Sequence, residues 1–414
     1  MRGFTATGRC SVLVLGLLSL LLLAPAALSA KQLGSDFGFV VDMPAGFVPG
    51  EGDGKTKFSY TDPNDGMEFD IRVYEPGRFA TVEALAADIK SRLASTGEVD
   101  SFSYEGRKAV LEELNFALNG VTEKGYAILI QGRPSPPTAT AAPSATAPSS
   151  GPGSAPLQSE PSFALLAFSG ADHFEAYADL LLSCLDSFSI DSAALRSPGP
   201  LSQYVLPWPP QRTQTKTVRL PGGSSAELPW SDEEGAQEVD TATREYKVLA
   251  SYAESQDLWV DAWARFYRMV YRESAARLDR LSLEFSRLLP PNDPTEDARQ
   301  VLAWVQGFVY QRDEKGIDFV TPLHAAFEQR GDCDSRAIVM AIILERLGID
   351  CVLMLSREYS HAMLGVNVPG GGQRFPWKGT SYLVAETTAK VGLGMIAASQ
   401  SDFSKWLGVQ LELR

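Results

Sequence analysis

The chain has 414 residues, 51 of them acidic and 37 basic, for a formal net charge of −14. That balance argues against nucleic acid as a partner, because phosphate backbones demand a cationic face. At 44% hydrophobic and 10% aromatic, the composition excludes a wholly disordered chain, and the length allows two globular units.

The first thirty residues read as a targeting segment. Arg2 and Arg9 form a positive flank, Ser11 to Leu23 an apolar run, and Ala26, Ala27, Ser29 and Ala30 the small residues a signal peptidase needs. We therefore expect a signal peptide over 1–30 and an exported protein, periplasmic or extracellular. The run from Cys10 to Ala30 is about 20 residues, so an uncleaved segment would instead be a membrane tether. The remaining cysteines are Cys184, Cys333 and Cys351. An odd count in an exported protein leaves at least one free thiol.

Residues 31–192 predict an α+β domain. FGFVVDMP (Phe37–Pro44), KFSYTDP and EFDIRVYE read as strands between Pro, Gly, Asn and Asp turns. Thr81 is placed to cap a helix through Leu93, with Glu83 in its first turn. Alternation resumes in SFSYEGRKAVLEELNFAL, YAILIQG and FALLAFSG. HFEAYADLLLSCLDSF closes the domain as a helix, with Phe174, Tyr177, Leu180, Leu181, Cys184 and Phe188 at helical spacing. Residues 134–160 interrupt the pattern with Pro, Ala, Ser and Thr, a composition that cannot bury a core. Because apparent strands flank it, it reads as a disordered hairpin extension.

Residues 193–414 predict a second domain. KTVRLP and YKVLASYA are strand candidates, and the acidic run Asp232–Glu234 reads as a solvated loop. A long amphipathic helical region then opens near Asp257, with Leu258, Trp259, Trp263, Phe266, Tyr267, Val270 and Leu278 as its stripe. PPNDP (Pro290–Pro294) breaks it, and a further helix carries Val301, Leu302, Val305, Phe308 and Val309.

The chemistry-bearing segment is Arg330-Gly331-Asp332-Cys333-Asp334-Ser335, followed by RAIVMAIILERLGID. A run apolar nearly all round is a buried helix, and Gly348 is placed to end it. Cys333 then sits at the first turn, where unpaired N–H groups stabilise a thiolate. Asp332 and Asp334 oppose this, unless one of them caps the helix. CVLMLSR, HAMLGVNV and SYLVAETTA follow as strands with a Pro/Gly loop before the last. If the last two pair antiparallel, His361 and Glu386 fall at one end of the sheet. A thiol, an imidazole and a carboxylate are the set that nucleophilic acyl transfer uses. Cys333 also has a bland reading as a buried core cysteine. A Cys333–Cys351 disulfide is disfavoured by the helix between them, which separates the two by about 20 Å. Three dispersed histidines without a cysteine pair make no zinc site, and no cofactor is expected. The tryptophans read as packing rather than as a ligand cage.

On Val305-Gln306, Tyr310, Gly331-Asp332-Cys333-Asp334, Leu347-Gly348-Ile349, His361 and Glu386-Thr387-Thr388, the second half resembles the transglutaminase-like superfamily, specifically its bacterial exported members. The resemblance implies a papain-like core, a helix packed on an antiparallel sheet. It implies Cys333 as nucleophile, His361 as base and acid, Glu386 as its orienter, and Gln306 as an oxyanion donor. Animal transglutaminases place tryptophan where this chain has Asp334, and Asp where it has Glu386. Both departures point away from animal-type crosslinking and toward the broader hydrolase-like group, and the expected export suggests amides of protein or cell-wall peptides as substrates. The alternative is a non-catalytic binding or assembly protein on a degenerate scaffold. The opening F-x-V-x-x-P-x-G-F (Phe39–Phe47) and the strand order of the first half resemble the PsbP-like α/β sandwich, which implies binding or assembly with a partner left unnamed.

Overall fold

The computed structural model describes residues 36–62, 66–133, 159–210, 214–255, 257–290, 292–312, 317 and 319–412. The expected signal segment at 1–30 and nearly all of the 134–160 insertion lie outside the described residues. The chain is α+β, and its described residues form a seven-stranded and a five-stranded antiparallel sheet, each with helices packed on it, and a two-stranded hairpin.

The first sheet is built from β1 (Val48–Pro49), β2 (Lys57–Thr61), β3 (Glu68–Tyr74), β4 (Val99–Tyr104), β5 (Arg107–Leu118), β6 (Val121–Ile130) and β7 (Ser162–Gly170), in the order β1-β2-β3-β7-β6-β5-β4. β6 and β7 are neighbours, from Glu123↔Gly170 to Ile130↔Phe163, so residues 134–158 join two adjacent strands of one sheet. Helix α1 (Val82–Leu93) starts where the Thr81 hydroxyl accepts the Ala84 N–H at 3.2 Å. It lays Val82, Leu85 and Ile89 on Val110, Leu114, Leu129 and Leu166. Helix α2 (Phe174–Asp186) covers the opposite face, packing Leu181 and Leu185 among Phe39, Ile128, Phe163 and Leu165. Strand β7 alternates between these faces, so both of its sides are buried.

Three helices, α3 (Pro200–Val205), α4 (Asp232–Ser251) and α5 (Trp259–Ala275), lead into the second half, with the hairpin β8 (Gln214–Arg219) and β9 (Ser225–Trp230) between α3 and α4. Helices α6 (Asp279–Leu288), α7 (Pro294–Val305), α8 (Pro322–Glu328) and α9 (Cys333–Arg346) follow. The second sheet comprises β10 (Cys351–Ser356), β11 (His361–Val366), β12 (Arg374–Trp377), β13 (Thr380–Ala385) and β14 (Leu407–Val409), ordered β12-β13-β11-β10-β14. Helix α9 packs on one face, among Leu353, Leu355, Leu364 and Leu383. Val352, Met354, Met363, Tyr382 and Val384 pack on the other with Phe375 and Trp406. Among the described residues no helix is long and apolar enough to cross a membrane.

Several local expectations are corrected. Phe37–Pro44 is not a strand. It makes one bridge, Val40↔Ser189, and buries consecutive rather than alternate side chains beneath the first sheet. YKVLASYA lies at the end of α4, whose buried Glu238, Ala242, Glu245, Val248 and Leu249 repeat at helical spacing. Asp232–Glu234 is the first turn of that helix, capped by Ser231, and its Glu234 pairs with Arg277 at 3.0 Å. Helix α7 stops at Val305, short of Phe308 and Val309.

Helix α5 lies between the two halves. Arg265 donates to the Asp42 carbonyl at 2.7 Å, to the Ser183 hydroxyl at 2.8 Å and to Glu245 at 3.1 Å. Arg268 grips the Asp42 carboxylate with two bonds of 2.7 and 2.8 Å. Arg272 donates to the carbonyls of Asp186, Phe188 and Ser197. These arginines satisfy carbonyl ends that the first half leaves open, which is what a buried guanidinium needs.

Candidate functional site

Helix α9 begins by presenting Cys333. Asp332 precedes it in an extended conformation, and its carboxylate accepts the Ser335 N–H at 3.1 Å and the Ser335 hydroxyl at 2.7 Å. The glycine before it is a steric requirement, since a Cβ on Gly331 would lie 2.7 Å from the Ser335 Cβ. His361 is the first residue of β11, paired with Ser356 across the β10–β11 turn. Glu386 is the first residue past β13, which pairs antiparallel with β11. The register brings Glu386 back toward His361, and Nε2 of the imidazole meets Oε2 of the carboxylate at 2.7 Å.

The remaining contacts fix the carboxylate. Oε1 of Glu386 accepts the Thr388 N–H at 2.7 Å, the Thr388 hydroxyl at 2.5 Å and the Ala389 N–H at 3.3 Å. Burial pushes the Glu386 carboxyl up, but the His361 hydrogen bond, the His361 charge and the Thr388 donors outweigh it and hold it at about 2. Ionised Glu386 accepts a hydrogen bond from Nε2–H, so in that neutral tautomer Nδ1 is the acceptor of the ring.

The sulfur is differently placed. The Cys333 thiol donates to Asp334 Oδ1 at 3.2 Å. Burial, then the charges of Asp334 and Asp332, push the thiol well above its ordinary range. The other oxygen of Asp334 accepts the Tyr267 hydroxyl from α5. Burial and the neighbouring Asp334 push Asp332 up to about 6. Burial and the two acids thus oppose the helix N-terminus, and the sulfur is hydrogen-bonded to Asp334.

Gln306 is not part of this cleft. Its amide donates to the carbonyls of Glu386 and Val391 at 2.8 and 2.9 Å, so its hydrogens are committed to the loop that carries the carboxylate. The expected oxyanion role is replaced by a positioning one. The sequence reading missed Arg336, which is buried and donates to the carbonyls of Gly331, Phe308 and Thr387. It ties the loop before Cys333 to the loop after Glu386. Its signal was an arginine one turn into α9, directly before the apolar run Ala337–Leu344, a position that demands buried acceptors. Tyr267 was also missed as a site residue and read only as part of a stripe. His324 bonds Thr321 at 3.0 Å on α8 and does not line the cleft. Cys184 and Cys351 are buried, and none of the three described cysteines forms a disulfide.

A cleft of about 340 Å³ opens over Cys333 and His361. Its lining includes Tyr246, Trp259, Trp263 and Tyr267 on one side, and Arg357 and Ser360 of the β10–β11 turn on the other. Among the described residues no group of three or more His, Cys, Asp and Glu side chains is arranged to hold a metal ion.

The fold and site thus define an α+β chain with a thiol and an imidazole at one cleft, the imidazole hydrogen-bonded to the Glu386 carboxylate. No protein-family model matches the chain, and no curated protein does. Among solved structures it is similar to cyanobacterial PsbP (CyanoP) from Synechocystis sp. PCC 6803, at 12% identity and a TM-score of 0.27, over 37% of this chain and 89% of that one. It is also similar to a protein from Bacteroides thetaiotaomicron VPI-5482, at 9% identity and a TM-score of 0.24, over 61% of this chain and 80% of that one.

Proposed function

We propose that this is an exported transglutaminase-like cysteine enzyme that processes amide bonds of protein or cell-wall peptides. The single observation that carries the reading is the 2.7 Å His361–Glu386 bond beside a cleft shared by His361 and Cys333. In the reaction, the thiol turns from Asp334 to His361 Nδ1 and gives up its proton there. The thiolate bonds to the amide carbon, the C–N bond breaks, and His361 returns the proton to the leaving amine. Water or a second amine then attacks the thioester and releases Cys333 as a thiol. The amino-terminal half is read as a PsbP-like sandwich with a binding or assembly role.

Iodoacetamide labelling of the full chain tests the enzyme reading. Labelling of the native protein concentrates on Cys333 and disappears in Cys333→Ala, while His361→Ala slows it about tenfold or more at pH 7.5. Equal slow labelling of all three forms would falsify the triad. One observation favours a second reading, a binding protein on a degenerate scaffold. The thiol is held neutral and bonded to an acid, the opposite of a preformed thiolate.

A further inference from the structure

Of the five aromatic residues of helix α5, Trp259, Trp263 and Tyr267 lie four residues apart and line the cleft, so successive side chains stand about 6 Å apart along one face. The ring centroids are 6.4 Å apart from Trp259 to Trp263 and 6.3 Å apart from Trp263 to Tyr267. All three line the cleft, and both tryptophans are only half-buried. Tyr246, beside them, is 41% exposed. The row ends at the nucleophile, because the Tyr267 hydroxyl donates to Asp334, the residue after Cys333. The other side of α5 is anchored through Arg265, Arg268 and Arg272, so the row is set before any ligand arrives.

An extended peptide advances about 3.3 Å per residue, so alternate side chains on one face stand about 6.6 Å apart. That repeat matches the ring spacing. We propose that the aromatic row is a substrate rail, and that the substrate is an extended peptide segment with apolar side chains at alternate positions beside the attacked amide. The proposal rests on the enzyme reading above for its account of turnover, but not for binding. A compact folded surface cannot lay alternate side chains into a cleft of this size. A peptide with adjacent apolar residues directs one of them away from the rings.

The test uses two acetylated, amidated hexapeptides of equal composition, Leu-Ser-Leu-Ser-Gln-Gly and Ser-Ser-Leu-Leu-Gln-Gly. Each is titrated against the full-length Cys333→Ala chain, with tryptophan fluorescence as the readout. The alternating peptide is expected to bind about tenfold tighter, since two ring contacts replace one. Trp263→Leu, which keeps an apolar side chain for packing, is expected to erase the difference. Equal binding of the two peptides overturns the rail, as does quenching by a chitin oligosaccharide and by neither peptide. Turnover by the wild-type chain separates the two claims. Alternation-dependent binding without turnover leaves the rail standing and removes the enzyme. Turnover of both peptides at equal kcat/KM, with equal binding, does the reverse.

Discussion

Asp334 decides how the Cys333 thiol is held at rest. It accepts the Cys333 thiol through one oxygen and the Tyr267 hydroxyl through the other. Burial and the charges of Asp334 and Asp332 hold the thiol above its usual range, against the pull of the helix N-terminus. Asp334→Asn keeps the shape and removes one charge. Iodoacetamide should therefore alkylate Cys333 about tenfold faster or more at pH 8, for each unit by which the thiol titration falls. A pH profile of the alkylation rate reads this directly, and a midpoint that stays put or moves up would show that Asp334 does not hold the thiol up. The sequence made the placement of the three candidate groups legible, because the Gly331–Asp334 turn, a buried helix and two strands constrain where Cys333, His361 and Glu386 go. It hid their supports. Arg336 acts on carbonyls from residues 308, 331 and 387, and Gln306 on carbonyls from 386 and 391, partners far apart in sequence. No local pattern announces such contacts.

Helix α5 was legible as an amphipathic stripe, but its opposite face explains more of the molecule. An arginine face against an aromatic face reads as solvent against core, whereas here both faces are used. Arg268 and Asp42 form a buried bidentate pair that holds the irregular Phe37–Pro44 segment on the helix. Breaking such a pair from one side strands a charge, at a cost of about 3–5 kcal/mol. Arg268→Ala should lower stability by that amount in urea unfolding. The double change Arg268→Leu with Asp42→Asn should recover part of it, because no unpaired charge remains. A loss below about 1 kcal/mol for Arg268→Ala would show the pair to be solvated. Elements misread from sequence share one cause, tertiary context overriding local pattern. YKVLASYA has β-like local composition, yet its burial follows the helical period of the twenty-residue α4. β12 and β14 have only four and three residues, too short for alternation to show, and exist as strands because β13 and β10 offer edges.

At the scale of the whole molecule, one continuous apolar core runs from Phe39 beneath the first sheet, through α5, to Leu364 in the second. Unfolding should therefore be a single cooperative transition rather than two. Its pH dependence follows from buried carboxyls of opposite sign. Burial raises Asp332, Glu68, Glu112, Glu234 and Glu273 above their ordinary values. A raised carboxyl favours the folded chain when protonated, so its contribution is full below the unfolded value and is lost as pH climbs through the folded one. For Asp332 that window runs from about 3.8 up to about 6. Glu386 has the opposite sign. Its contribution is present above 4.5 and is lost as pH falls toward about 2. Asp186, also lowered, although burial opposes its Arg244 pairing, behaves in the same sense. Mild acid also reduces the self-repulsion of a chain with net charge −14. Scanning calorimetry should therefore show the Tm rising as pH is lowered from 8 to about 5, and falling again below about 4.5. Asp332→Asn should flatten the rise and leave the acid-side fall in place, while Glu386→Gln should weaken the fall. A Tm that declines steadily from pH 8 downward would contradict the buried, raised state of these carboxyls.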